Sequence, residues 1–287
     1  MANVRDIRNK IASVKNTQKI TKAMQMVSAS KMRKAQERMH HCRPYASKIL
    51  QVIEHITHAH PEYNHPYLIE REVKRVGFIV ITTDRGLCGA LNNNILRETL
   101  KAVDTFVQKG IQIDLCLVGN KADKFFRGYK NCTIVAKDQH VDENTAVADI
   151  LGIITTMLVG YQEQKIDALY LCYNKFVNTM NQKNIVQKLL PITSGTKEKH
   201  YWDYIYEPDA KDLLNRLLKR FVEVQVYQGV VENFASEQSA RMMAMMNATD
   251  NAQNLIKDLQ LSYNKIRQAG ITREISEIVN GAEAING

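Results

Sequence analysis

The stretch VRDIRNKIASVKNTQKITKAMQMVSASKMRKAQERMH, residues 4–40, decides the fold. Val4, Ile7, Ile11 and Val14 recur at alternating steps of three and four, the a/d spacing of a coiled-coil helix. The same register then meets Gln18, Thr21, Gln25 and Ser28, all polar, and recovers at Met32, Ala35, Met39, Cys42, Ala46, Ile49, Ile53 and Ile56. Across the polar gap the apolar residues are Ile20, Met24 and Val27, each one position off the seam. Either a long coil tolerates polar seam residues, or this stretch turns an apolar face toward something other than its partner helix. Residues 1–57 contain no glycine, so the whole segment is helix-compatible, with a kink expected at Pro44, which removes a backbone donor and crowds the preceding turn.

A second arm of the same kind closes the sequence. Residues 209–287 contain no proline and, before Gly270, only Gly229. Their apolar set runs Leu214, Leu217, Phe221, Val224, Val231, Ala235, Met242, Met245, Ala252, Ile256, Leu259, Tyr263 and Ile266, interrupted by Gln228, Gln238 and Thr249. After Gly270 it restarts one residue later at Ile271, Ile275, Ile278, Ala282 and Ile285. Small residues and methionines crowd 235–252, and coiled-coil core accounts for them: alanine lets helices approach closely and methionine packs adaptably. At a rise of 1.5 Å per residue the arms measure about 85 Å and about 118 Å, so the second overhangs the first by roughly 20 residues. If residue 57 faces about 210, facing numbers sum to about 267, pairing Ile11 with Ile256 and Ile7 with Leu259. The overhang then begins near Gly270, and its apolar stripe implies a socket.

Nine of the 13 glycines fall between Gly77 and Gly195, in a turn-rich middle. VGFIVITT (76–83) is a continuous β-branched run of the kind that forms a buried parallel strand. IQIDLCLVG (111–119), NCTIVA (131–136), DALYLCYN (167–174) and NIVQKLLPI (184–192) read as further strands, the last alternating. Helices are expected over about 90–109 and 142–161, with Asp142 and Thr145 as candidate caps. Strand–helix alternation of this kind is an α/β domain. The predicted architecture is a long antiparallel two-helix coiled coil, from residues 1–57 and 209–287, flanking a central Rossmann-like α/β domain over 70–205.

DRGLCGALNNN (84–94) follows the first strand, at the carboxyl end where α/β sheets bind ligands. It lacks GxGxxG spacing and the GK[ST] ending of a phosphate loop, so Gly86 and Gly89 read as serving a tight turn. No histidine occurs between His65 and His140 to activate Cys88, and no HExxH, paired-carboxylate or serine-elbow motif is present. The residues thus point to no catalytic group, cofactor or metal. Five cysteines without a CxxC pair read as reduced thiols.

There is no 18-residue apolar run, and MANVRDIRNK has no apolar signal region. Residues 1–48 hold 12 Lys/Arg and 2 Asp/Glu, a net of +10, while the remainder holds 27 and 28, a net of −1. The basic excess therefore lies on the first arm, as a solvated helix face or a footprint for an acidic partner, protein or nucleic acid. A basic coiled-coil nucleic-acid binder would explain that arm, but no aromatic stacking platform or groove-reading motif accompanies it. An enzyme built on the α/β domain is the other rival.

Three segments, IASVKNTQKITKAMQMVSASKMRKAQ (11–36), TDRGLCGALN (83–92) and ITREISEIVNGAEA (271–284), with EQSARMMAMMNATDNA (237–252) in support, resemble the gamma subunit of F-type ATP synthase. Departures are slight: Ser28 stands where the family often has alanine and Asn280 where it often has glycine. The resemblance implies a non-catalytic rotary shaft, one copy per complex, coupling proton-driven rotation of the c-ring to ATP synthesis or hydrolysis. The arms would lie inside a hexamer of three alpha and three beta subunits, and the α/β domain would touch epsilon and the c-ring. Such a complex implies the cytoplasmic face of the bacterial inner membrane, with no nucleic-acid partner. By the same resemblance Met24, Arg241, Gln268 and Thr272 contact the hexamer, and Tyr204, Tyr206 and Glu207 face the c-ring and epsilon.

Overall fold

The computed structural model describes residues 4–59, 65–139, 147–192 and 210–286. Helix α1 (Val4–Ala59) precedes β1 (Arg75–Ile81), α2 (Leu91–Val107), β2 (Gln112–Val118), α3 (Asn120–Phe126), β3 (Thr133–Asp138), α4 (Val147–Gln162), β4 (Ala168–Phe176) and β5 (Gln182–Leu190), and α5 (Ala210–Asn286) follows them. The expected caps Asp142 and Thr145 lie outside the described residues. The helices at the two ends flank a central sheet in sequence, as the arm patterns require. Helix α1 carries through Pro44, which is exposed.

The chain divides into two compact units: Met1–Val27 with Met242–Gly287, and Ser28–Arg241. The second unit is built on β1. This strand pairs in parallel with β2 and β4, β2 pairs in parallel with β3, and β5 returns antiparallel to β4, giving the order β3-β2-β1-β4-β5. Val76, Phe78 and Val80 face one side of the sheet, with Ile95, Leu96 and Val103 of α2 and Ala122 and Phe126 of α3. Ile79 and Ile81 face the other, with Ile150, Ile153, Ile154, Met157 and Leu158 of α4. From β1 the chain steps outward twice through α2 and α3, then crosses back to β4 through α4. Crossovers of one handedness require that reversal to place α4 on the opposite face.

One element departed from the sequence reading. Helix α3 was not expected: it has only 7 residues, too few for a periodic signal. It starts at Gly119, whose φ of +94° L side chains rarely adopt; a Cβ there would also lie 2.5 Å from the Thr82 carbonyl oxygen. Strand β5, expected as an alternating strand, is the second half of a hairpin with β4. Its turn is made by Asn178, whose Oδ1 accepts hydrogen bonds from the backbone N–H groups of Met180 (3.0 Å) and Asn181 (2.7 Å).

The first unit is an antiparallel two-helix coil. Val4, Ile7, Ile11, Val14, Gln18, Thr21 and Gln25 of α1 are all buried or partly buried, so the heptad continues through the polar gap without rotating. Opposite them on α5 are Met245, Thr249, Ala252, Ile256, Leu259, Tyr263 and Ile266. Gln18 Nε2 donates to Gln253 Oε1 at 2.8 Å, and the Thr21 and Thr249 hydroxyls meet at 2.8 Å. Of the apolar residues of the gap, Ile20 (61% exposed) and Val27 (55%) face out, and Met24 is partly buried. The coil thus tolerates polar residues in its seam, and the exposed Ile20 and Val27 are left without a partner helix.

These polar pairs fix the register. Thr21 with Thr249 sums to 270 and Gln18 with Gln253 to 271, three to four residues above the expected 267. Counting from a common starting level misjudged the offset, because apolar layers match at several offsets and hydrogen-bonding layers at one. A sum of 270 sets Val14 against Ile256, Ile11 against Leu259 and Val4 against Ile266. Every residue of α5 from Arg267 to Ala282 is exposed, so the overhang begins close to where the arm lengths put it.

Cysteines at 14 and 256, in a chain otherwise free of cysteine, should oxidise to an intrachain disulfide, because facing seam positions bring β-carbons within bridging range. Cysteines at 11 and 256, or at 4 and 278, should remain reduced. Non-reducing electrophoresis of the three variants reads the result; an efficient 11/256 bond would restore the lower sum.

Candidate functional site

The order in which strands are added reverses between the parallel neighbours β1 and β4, so the crevice at their carboxyl ends is where an α/β domain would hold a ligand. The turn DRGLCG lines it. Thr83 N donates to Asn92 Oδ1 (3.2 Å), Asn92 Nδ2 donates to Thr83 Oγ1 (2.8 Å) and Cys88 Sγ (3.3 Å), and Thr83 Oγ1 donates to the Arg85 carbonyl (2.6 Å). Asp84 Oδ1 accepts from the Asn120 N–H at 2.9 Å, tying the turn to the start of α3. Leu87 and Gly89 take positive φ values of 65° and 62°, which close the turn tightly. These bonds hold the turn and tie it to α3, and the positive φ of Gly89 supports its tight-turn reading, whereas Gly86 takes no left-handed φ.

A side chain from α5 covers the turn from outside. Arg241 Nε and Nη2 donate to the Gly86 carbonyl at 3.4 and 3.3 Å, and Nη2 also donates to Glu237 Oε1, one helical turn back. Both side chains are nearly buried, 11% and 9% exposed. Burial pushes the Glu237 carboxyl above its ordinary value, against the opposing pull of Arg241. Glu and Arg four residues apart were a visible helix pair; that they cap a distant turn carries no local sequence signal.

The thiols are poor nucleophiles. Burial raises Cys88, raises Cys116 and Cys172 to about 12, and raises Cys132 to about 11, so each is protonated near neutral pH. Among the described residues no group of three or more His, Cys, Asp or Glu side chains could hold a metal ion, and no helix is long and apolar enough to cross a membrane.

The residues singled out by resemblance fall in separate places. Met24 is partly buried on α1. Gln268 and Thr272 are exposed on α5 beyond the coil, and the Thr272 hydroxyl donates to the Gln268 carbonyl at 3.0 Å. Arg241 lies in the grip just described. Tyr204, Tyr206 and Glu207 lie outside the described residues. Exposed apolar side chains mark two stretches: Ile20, Met26 and Val27 on α1, and Ile271, Ile275, Ile278 and Val279 at the end of α5.

Replacing Arg241 by Met should destabilise the chain by about 3–5 kcal/mol, because it strands a buried carboxylate. The loss should depend on pH in a defined direction. Without Arg241 the folded Glu237 carboxyl rises further above its unfolded value, so the fold binds the proton more tightly than the unfolded chain does. Stability is then retained at low pH and lost as pH rises through the folded value. Urea unfolding of R241M across mildly acidic to neutral pH reads this, and adding E237Q should remove the slope. A pH-independent loss would place the energy elsewhere than in Glu237.

Comparison with known proteins fits this assembly of parts. A family model described as ATP synthase matches residues 3–285. The chain is 54% identical over 290 residues to the ATP synthase gamma chain of Nitrosococcus oceani, covering 99% of this chain and 100% of that one. It is 56% identical over 289 residues to the ATP synthase gamma chain of Coxiella burnetii, with the same coverage. Among solved structures it resembles a chain of the central stalk and c-ring of Tetrahymena thermophila mitochondrial ATP synthase (TM-score 0.60, 26% identity, 80% of this chain and 99% of that one). It also shares the fold of a chain in the Euglena gracilis mitochondrial enzyme (TM-score 0.70, 21% identity, 98% and 94%). The nucleic-acid reading finds no support among these relatives. The chain belongs to the ATP synthase gamma-chain family.

Proposed function

We propose that this chain is the central rotor shaft of an F-type ATP synthase, coupling rotation of a proton-driven c-ring to ATP synthesis or hydrolysis in a hexamer of alpha and beta subunits. The observation that carries the reading is the end of α5. From Arg267 to Ala282 a single helix continues without α1 beside it, every side chain exposed, with Ile271, Ile275, Ile278 and Val279 among them. An unpartnered amphipathic helix of that length is stable only when something else receives its apolar residues. In this reading Met24, Arg241, Gln268 and Thr272 lie where the shaft meets the hexamer. Tyr204, Tyr206 and Glu207 meet epsilon and the c-ring, and segments 1–57, 70–205 and 209–287 act as first arm, globular body and second arm. The subunit is non-catalytic, and the complex holds it at the cytoplasmic face of the bacterial inner membrane.

Reconstitution with bacterial alpha and beta subunits tests the function. One copy of the chain should join three of each, and a bead fixed to its α/β domain should turn when ATP is added. A complex that assembles and hydrolyses ATP normally with this chain left out would reject the proposal.

The shaft role rests on shape and apolarity at the α1 surface. Met24→Leu should leave coupled turnover within about twofold of the parent, since the swap conserves volume. Met24→Glu should slow turnover more than it lowers the melting temperature, because a charge would be carried through changing, partly desolvated contacts. ATP-driven proton pumping beside thermal melts decides it; equal coupling in the two variants would reject the role of Met24.

A further inference from the structure

At Gly229 α5 approaches the sheet closely: a Cβ there would meet Leu171 at 3.1 Å, Ile81 at 3.3 Å and Tyr173 at 3.5 Å. Past it, α5 changes the way it is held. Asn233 Oδ1 accepts from Asn174 Nδ2 at 2.8 Å, and Asn174 Oδ1 accepts from Asn184 Nδ2 at 2.8 Å, an amide relay joining α5 to β4 and β5. Ser236 Oγ donates to the Asn174 carbonyl at 3.0 Å, Ser239 Oγ donates to the Thr179 carbonyl at 2.6 Å, and Arg241 reaches the Gly86 carbonyl. Three backbone carbonyls at the carboxyl end of the sheet, from β4, the β4–β5 turn and the β1–α2 turn, are thus each held by a different side chain of one helix. Ser236 and Ser239 are fully buried, and Asn233 nearly so.

From this geometry we infer that Asn233, Ser236, Ser239 and Arg241 form a polar collar that fixes the rotational angle of α5 against the sheet. These are positioning residues for torque, resting on the shaft function proposed above. Apolar contacts are non-directional and hold nearly the same energy when a helix turns slightly. Hydrogen bonds do not: a side-chain tip about 6 Å from the helix axis moves about 2 Å when the helix turns by about 20°, enough to break bonds of this length. Below the collar α5 is held by Leu214, Leu218, Val222 and Val226 in an apolar core. The collar adds angular stiffness that this grease lacks, at the last residues of α5 belonging to the sheet-bearing unit.

The test uses the assembled synthase carrying this chain in inverted membrane vesicles, comparing ATP-driven proton pumping per ATP hydrolysed. S236A/S239A removes two collar bonds and buries no charge. Val103→Ala, a truncation in α2 on the opposite face of the sheet, supplies a control destabilised without touching α5. The pumping ratio should fall about twofold or more in the collar variant, the scale of losing bonds worth somewhat more than RT each, and stay at the parent value in the control. Ser239→Thr, which keeps the hydroxyl, should keep the ratio. If the double variant fails to assemble, Arg241→Lys reads the same ratio, since it retains charge beside Glu237 but loses the planar two-nitrogen contact with Gly86. A ratio in the collar variants equal to that of V103A would overturn the collar while leaving the shaft function standing. Parent vesicles that hydrolyse ATP without pumping would instead remove the shaft function, and the collar with it.

Discussion

The parallel sheet must be covered on both faces, and the terminal helices supply part of one cover. Strand β1 is buried on both sides, as a central parallel strand has to be. Helices α2 and α3 close one side. On the other, α4 shares the work with three side chains of α1 (Ile49, Ile53, Ile56) and seven of α5 (Leu214, Leu218, Phe221, Val222, Val224, Val226, Val230). Each such burial contributes about 1.5–3 kcal/mol. The arms are therefore not appendages on a finished domain: remove them and the second face of the sheet is open to water. A helix that is also part of a core cannot move independently of it, and a rotor requires that property.

The coil between Gln18 and Gln25 gives up apolar stability that its sequence could have supplied. Polar residues occupy the seam while Ile20 and Val27 stand in solvent one position away. Thr21 and Thr249 soften the penalty by local bonding: Thr21 Oγ1 lies 3.0 Å from the Gln18 carbonyl and Thr249 Oγ1 2.8 Å from the Met245 carbonyl, besides meeting each other. Two hydroxyl protons serve three short contacts, so one contact is always without a proton. A seam chosen only for stability would carry leucine there. The outward Ile20 and Val27 and the partly buried Met24 are better explained by a second surface that α1 must also satisfy.

What the sequence disclosed followed the range of each signal. VGFIVITT, IQIDLCLVG and DALYLCYN were legible as strands because burial on both faces makes them near-continuous apolar runs, with few polar residues such as Asp114 to interrupt the pattern. The heptad of 4–14 and the absence of glycine disclosed α1. Helix α3 was too short to show a period, and its start depends on the Gly119–Thr82 approach, a contact between strands. The coil offset was out of reach of length counting because it is set by Gln18–Gln253 and Thr21–Thr249, pairs separated by more than two hundred residues. Residues 235–241 misled most. Their small side chains read as coil core, yet Ser236, Ser239 and Arg241 bind backbone carbonyls of β4 and of two turns, and nothing in their spacing separates the two uses. For the partner-facing residues the family motifs, and not periodicity, supplied the names.

The end of α5 is weak by its own chemistry. Gly270 and Gly281 each cost about 1 kcal/mol relative to alanine inside a helix. The Arg273–Glu277 pair, 3.5 Å apart and more than two-thirds exposed on both sides, returns at most about 0.5 kcal/mol. Ile271, Thr272, Ile275, Ile278 and Val279 add β-branched residues that a solvent-exposed helix disfavours. Such a segment keeps its shape in isolation mainly by propagation from the coil, whose last partnered position on α5 is Ile266. Surroundings that accept the four apolar side chains would stabilise it far more than any intrahelical pair, by about 1.5–3 kcal/mol for each one buried. A helix of this composition gains most from surroundings that bury those side chains, and its glycines limit how stiff it is without them.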